Sequence, residues 1–150
     1  MIIRQATEAD FEAIWPIFHQ IAAAGDTYAY SPDINKQEAR RVWMELPAKT
    51  YVAEHHGQIL GTYYIKTNQA GPGAHVCNCG YMVSAEARGI GLATAMCKHS
   101  QQIATELGYT AMQFNFVAST NVGAVRLWEK LSFETVGRLP KAFNHSVQGY

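Results

Sequence analysis

The sequence predicts an α/β domain in which helices and strands are mixed along the chain. Two patterns carry that expectation. Apolar residues recur at three- and four-residue steps in several stretches, and between them lie runs rich in β-branched and aromatic residues, two of which flank a tight turn signal. With 150 residues, 48% of them hydrophobic and 11% aromatic, the chain has material for one domain, residues 1–150, with a substantial core.

Ile2 and Ile3 open a short first strand, and Thr7-Glu8-Ala9-Asp10 has the form of a helix N-cap with acidic residues in its first turn. Ile14, Ile17, Phe18 and Ile21 then form one apolar stripe of a helix that Gly25 stops, with Pro16 expected to kink it. The loop Asp26-Thr27-Tyr28-Ala29-Tyr30-Ser31-Pro32-Asp33 is dense in aromatic and polar groups, and a helical stretch from Lys36 to about Met44 follows. Tyr28 and Tyr30 either line a ligand pocket or pack the loop onto the core.

From Thr50 the period changes. Tyr51–Glu54, a turn at His55-His56-Gly57-Gln58, and Ile59–Lys66 read as a hairpin, and Asn68–Gly73 as another turn. His75–Val83 is the fourth strand, leading through Ser84-Ala85-Glu86-Ala87 into Arg88-Gly89-Ile90-Gly91-Leu92-Ala93 and a helix that ends near Leu107 before Gly108. Met112–Ala118 is read as a fifth strand, Asn121–Leu131 as a helix and Phe133–Gly137 as a sixth strand.

Twelve Lys and Arg balance twelve Asp and Glu, which argues against a cationic nucleic-acid-binding module. No apolar run approaches the roughly 20 residues of a membrane helix, and the N-terminus lacks signal-peptide character, so a cytoplasmic protein without membrane partners is expected. Cys77, Cys79 and Cys97 form no C-x-x-C pair and fit reduced thiols. His75, Cys77 and Cys79 would share one strand face, but successive same-face side chains start nearly 7 Å apart, so no metal site is expected.

The most specific feature is the strand, short acidic turn and Arg88–Ala93 segment opening a helix. Glycines let an anion approach the backbone, and the unpaired N–H groups of a helix start are donors aimed at it. A dinucleotide G-x-G-x-x-G would need glycine where Thr94 stands, and the G-K-[ST] of a Walker A loop is absent, so neither NAD nor ATP is indicated.

Arg88, Gly91 and Ala93, with Asn121, Ala124, Leu127, Lys130 and Phe133 further on, resemble the two motifs of the Gcn5-related N-acetyltransferase (GNAT) superfamily, and the resemblance spans nearly the whole chain. It implies a mixed α/β fold in which helices flank a central, mostly antiparallel sheet whose strands 4 and 5 splay apart, with acetyl-CoA as co-substrate in the gap. Met82 and Val83 would then bond the pantetheine arm through their backbone, and Arg88, Gly89, Ile90, Gly91, Leu92 and Ala93 would hold the diphosphate. Asn121 and Trp128 would approach the cofactor. The implied reaction is direct acetyl transfer to a neutral amine. Trp128 stands where the family's motif tyrosine usually protonates the departing thiolate, and an indole N–H keeps its proton near neutral pH. Ser132 is the second departure, where the family commonly has glycine.

Asn78 and Asn115 are polar residues inside otherwise apolar or aromatic strands, each either reaching an acceptor cavity or satisfying backbone groups at the splay. The run Phe114–Val117 through Asn121 to Trp128 is also similar to acetyltransferases acting on L-azetidine-2-carboxylate. That narrower resemblance implies that Asn78 and Asn115 belong to the acceptor site of a small amine, amino acid or imino acid. Glu54, Glu86 and His75 are candidate bases, and Tyr28, Tyr30 and Tyr64 could shape the pocket. Two other readings stay open: a non-enzymatic acyl-CoA-binding module, and a protein or peptide N-acetyltransferase. The family's last strand has no counterpart after Pro140, from which either a homodimer or a shortened chain is expected.

Overall fold

In the computed structural model, which describes residues 1–150, the chain forms two compact units. The first holds Met1–Phe18 and Asn35–Asn115, the second His19–Ile34 and Phe116–Tyr150.

The first unit is built on a five-stranded sheet in the order β1 (Ile2–Gln5), β2 (Lys49–His55), β3 (Gln58–Thr67), β4 (Val76–Val83) and β5 (Ala111–Met112). β1 to β4 pair antiparallel, and β4 with β5 parallel. The β2–β3 hairpin closes on two residues, His56 (φ 52°) and Gly57 (φ 76°). Two successive positive φ values are the mark of a type I′ turn, whose twist matches that of the strands it joins. One face of the sheet lies under α3 (Leu92–Glu106): Tyr63, Ile65, Cys77 and Cys79 are buried in one cluster with Leu92, Met96 and Ala104. Gly61 makes this approach close, since a Cβ there would stand 2.7 Å from Leu92 Cδ2 and 3.0 Å from Met96 Cε.

On the opposite face Trp43 is fully buried. It lies in a π-helical turn (Arg41–Glu45) that continues α2 (Lys36–Arg40). Its Nε1–H donates to Thr62 Oγ1 at 3.0 Å, Thr62 donates to Tyr51 O at 2.8 Å, and Thr50 donates to Trp43 O at 2.6 Å. Buried donors and acceptors are thus paired, which removes the roughly 1–3 kcal/mol that each would cost if left unmet. Phe11, Ile14 and Phe18 of α1 (Phe11–Ala24) are buried, and Phe18 meets Trp43 edge-on at 5.7 Å. The helix runs unbroken through Pro16. Arg4 ties β1 to the start of this region with two bonds to Asp10 (2.7 and 2.9 Å) and two to Glu54 (2.9 and 2.5 Å).

The second unit contains the end of α1, the loop after it, α4 (Val122–Lys130) and the C-terminal segment. Asn121 Oδ1 accepts the Ala124 N–H at the start of α4. At its end the Phe133 N–H reaches Trp128 O (2.9 Å) and the Ser132 N–H reaches Glu129 O (3.0 Å), a Schellman motif. Ser132 sits at its left-handed position, φ 69°, and the Trp128 and Phe133 rings supply the apolar contact that accompanies such a cap.

Two strands differ from the expectation. The fifth extends over Ala111–Met112 rather than to Ala118, and Phe133–Gly137 forms no strand. Val136 is 91% exposed, so the β-forming residues there meet neither a neighbouring strand nor a core to cover. After Pro140 the only β pairing is an isolated bridge, His145 with Gly149.

Candidate active site

The parallel pair β4/β5 is short. Thr110 N–H donates to His75 O at 2.9 Å and Gln113 N–H to Cys77 O at 2.8 Å, and the register ends at Cys77 with Met112. Strand alternation then fixes which groups of β4 face the open edge. Val76 O and Ser84 N–H bond toward β3, so even-numbered residues pair inward, whereas Cys79, Tyr81 and Val83 present their N–H and C=O groups beyond the last rung. Met82, expected to bond through its backbone, is turned the other way: it pairs with Thr62 and its side chain is buried. The correction follows from the two-residue period, which a dipeptide reading of Met82 and Val83 ignores. Tyr81, which the sequence reading missed, occupies the odd position instead.

Beyond β4 the chain makes a 3-10 turn (Ala85–Ala87), and Ser84 Oγ accepts the Glu86 N–H at 3.3 Å. Arg88 is extended, and Gly89 (φ 83°) and Gly91 (φ 78°) are left-handed. A Cβ at either glycine would meet nothing within 4 Å, so backbone conformation rather than crowding selects glycine here. Gly91 is the N-cap of α3 and supplies no side-chain cap, leaving the first N–H donors of a 15-residue helix without one. Arg88 and Ile90 are exposed, Leu92 is buried under the sheet, and Ala93 is half-buried. The segment therefore offers backbone donors and one guanidinium to an anion, while the strand edge offers an extended backbone partner to an amide-bearing arm.

Asn78 is buried, and both ends of its carboxamide are engaged: Oδ1 accepts from Tyr64 Oη at 2.9 Å and Nδ2 donates to Gln113 O at 2.9 Å. Tyr64 reaches it across Gly80, where a Cβ would fall 2.6 Å from the ring, and burial pushes the Tyr64 phenol up to about 12. Asn115 is exposed and lies within a carboxamide chain, donating to Asn68 Oδ1 (2.6 Å) and accepting from Gln113 Nε2 (3.0 Å). Of the candidate bases, Glu54 is paired with Arg4, and Glu86 is exposed and accepts from Gln58 at 3.4 Å.

On the α3 face, Tyr63 Oη lies 2.7 Å from His99 Nδ1, and Tyr81 Oη lies 2.6 Å from Ser100 Oγ. Burial lowers the His99 pKa and raises those of Tyr63, Tyr81 and Cys97. The three cysteines are free and buried, and no three His, Cys, Asp or Glu side chains are grouped to hold a metal ion.

In the second unit, Tyr28 and Tyr30 stack at 5.6 Å and 10°, and Phe116 meets Phe143 edge-on at 5.7 Å. These rings, with Pro32 and His145, line a cleft of about 630 Å³. No Asp, Glu, Lys or Arg lines it. Phe143 and His145 were not singled out in the sequence because the C-terminal segment has no periodic pattern. It is held by the Ser146 N–H on Gly25 O (3.1 Å). Asn121 and Trp128 belong to this unit, the first as the cap of α4 and the second packed on Phe133.

The sheet parts after a brief parallel pairing, and a glycine-bearing helix start follows the open edge of β4. The chain belongs to the acetyltransferase (GNAT) family, whose sequence profile matches residues 7–133. A GCN5-related N-acetyltransferase from Kribbella flavida is 42% identical, with a TM-score of 0.93 over 99% of this chain and 91% of that one. N-acetyltransferase aca1 of Schizosaccharomyces pombe is 36% identical over 84 residues, which are 56% of this chain and 40% of that protein, so the match spans less than half of that relative. A phosphinothricin acetyltransferase from Sinorhizobium meliloti, solved in complex with AcCoA, shares the fold at 20% identity, TM-score 0.83, over 95% of this chain and 79% of its own. No helix is long and apolar enough to cross a membrane.

Proposed function

We propose that this protein is an N-acetyltransferase that moves the acetyl group of acetyl-CoA directly onto the amine of a small molecule, an amino acid, imino acid or related amine. The observation that carries the reading is the open edge of β4 ending in the Arg88–Ala93 helix start. An uncapped helix N-terminus with two left-handed glycines fits a diphosphate, and odd-numbered N–H and C=O groups at Cys79, Tyr81 and Val83 fit the amides of a pantetheine arm. Bound there, acetyl-CoA supplies an activated acetyl carbonyl. Backbone N–H groups of the β4 edge would stabilise negative charge developing on that oxygen. The amine must arrive without its extra proton: its N–C bond forms as the C–S bond breaks, and the proton it gives up is the one the departing thiolate takes.

Trp128 does not supply that proton. A thiol of pKa about 8.5 is a fair leaving group, and general-acid help is typically worth about 10²–10⁴-fold, so solvent or the amine's own proton can serve at some cost in rate. The balance of twelve basic and twelve acidic side chains supports a small acceptor over an acidic or nucleic-acid-bound one. Free buried thiols support a reducing, cytoplasmic setting.

The test is to incubate the purified chain with acetyl-CoA and a panel of amino acids, imino acids, amines and short peptides, following CoA release by chromatography. Release with small amines is expected. Release with peptides alone overturns the acceptor assignment, and tight acetyl-CoA binding with no release from any acceptor favours a binding module, the reading that Trp128 motivates.

A further inference from the structure

We infer that Asn78 is the positioning residue that ends the β4/β5 ladder and keeps the strands apart. This rests on the reading of that opening as the seat of the pantetheine arm. In a parallel pair with the Gln113 N–H on Cys77 O, the next rung is the Cys79 N–H onto Gln113 O. That rung is not made. The Asn78 side chain, one residue earlier, places Nδ2 2.9 Å from the same oxygen. It replaces a backbone donor with a side-chain donor, satisfies the last carbonyl of the pair, and leaves the Cys79 N–H on the open edge with Tyr81 and Val83.

The carboxamide is held in this orientation through Tyr64. Tyr64 Oη donates to Oδ1 at 2.9 Å, and turning the amide over would set Oδ1 against Gln113 O and lose the bond there. Gly80 leaves room for the Tyr64 ring to lie across β4, and Trp43 packs edge-on against that ring at 4.9 Å. The segment past β5 is then tied by side chains instead of a ladder, Gln113 Nε2 to Asn115 Oδ1 and Asn115 Nδ2 to Asn68 Oδ1. Of these carboxamides only Asn78 is buried. It therefore works where water cannot replace it, and Asn115 has a lesser part at the exposed end.

The experiment uses the full chain and three variants, Asn78→Ala, Asn78→Leu and Tyr64→Phe. It measures binding of acetyl-CoA and of 3′-phosphoadenosine 5′-diphosphate, which has the diphosphate but no pantetheine arm, together with amide hydrogen exchange at Cys79. In both Asn78 variants acetyl-CoA affinity falls about tenfold, the factor that 1.4 kcal/mol corresponds to, while the nucleotide stays within about twofold. Cys79 becomes protected from exchange as the missing rung forms. Asn78→Leu has no donor for Gln113 O and nearly the same shape, so it behaves like alanine without opening a cavity, and serves if Asn78→Ala does not fold. Tyr64→Phe keeps the Gln113 bond and changes acetyl-CoA affinity by no more than about threefold. Equal losses for both ligands, or unchanged Cys79 exchange in the Asn78 variants, overturns the inference. If the wild-type chain binds no acetyl-CoA, the proposed function fails instead, and Cys79 exchange alone decides the role of Asn78.

Discussion

Replacing Gly91 by alanine tests the helix start on which the diphosphate reading depends. Gly91 has φ 78° and ψ 17°, and a Cβ there would touch nothing within 4 Å, so steric overlap contributes nothing and the cost is conformational. An L-residue in the left-handed region costs roughly 1–2 kcal/mol, against which alanine recovers about 0.4–1 kcal/mol by restricting the unfolded chain. The net loss is about 1 kcal/mol, or about 2–4 °C in melting temperature for a chain of this size. Gly123, inside α4 with an ordinary φ and equally open space, is the comparison, and Gly123→Ala is expected to gain about 0.5–1 kcal/mol. Thermal unfolding by circular dichroism reads both, and calorimetry with acetyl-CoA reads the site, where Gly91→Ala is expected to lose at least about tenfold in affinity as the cap leaves its left-handed conformation. A Gly91→Ala protein as stable as wild type, with undiminished affinity, would refute the requirement for a left-handed residue at this cap.

Two more outcomes follow from named groups. Burial lowers the His99 pKa from its ordinary 6.5, and the Arg4 hydrogen bonds lower that of Asp10 from its ordinary 3.8, so in both cases the unfolded chain takes up the proton first. Stability is therefore full at neutral pH, begins to fall as pH drops below about 6.5 through His99, and falls again below about 4 through Asp10. Urea titrations across that range will show His99→Gln flattening the upper step and Asp10→Asn the lower, with Asp10→Asn costing about 1 kcal/mol at pH 7 because Arg4 stays partly in solvent. At the end of α4, Ser132→Gly relieves a left-handed serine, and after the glycine's greater unfolded freedom is counted the variant gains about 0.5–1 kcal/mol, read as a higher melting temperature.

Much of this fold was legible because its patterns are local. The Ile14, Ile17, Phe18 stripe, the hairpin turn at His56-Gly57 and the glycine stop at Gly108 each express a short-range rule, and each holds in the structure. The helix start at Arg88–Ala93 was legible for the same reason. Strand 5 was not. Its alternation, Met112 to Ala118, would suit a strand, but pairing depends on the neighbour, and Asn78 takes the acceptor that the next rung needs. Phe133–Gly137 had β-forming residues and no partner strand. Trp128 was read against the missing tyrosine, yet its contact with Phe133 belongs to the cap that Ser132 completes, a relation visible only once the helix end is known. Tyr28 and Tyr30 were open to a pocket role, but the Phe116 and Phe143 rings that complete the aromatic cleft come from positions no window joins to them.

The distribution of tryptophan makes the chain its own optical instrument. Trp15 and Trp43 belong to the first unit, and Trp128 to the second. Trp43 is sealed from water with its indole N–H on Thr62, while Trp128 is half-buried, so their emission should differ in wavelength as well as in origin. Single-tryptophan variants retaining Trp43 or Trp128 report the melting of each unit separately. Coincident curves mean that the chain unfolds as one cooperative body, and separated curves assign each unit its own stability and identify which half opens first.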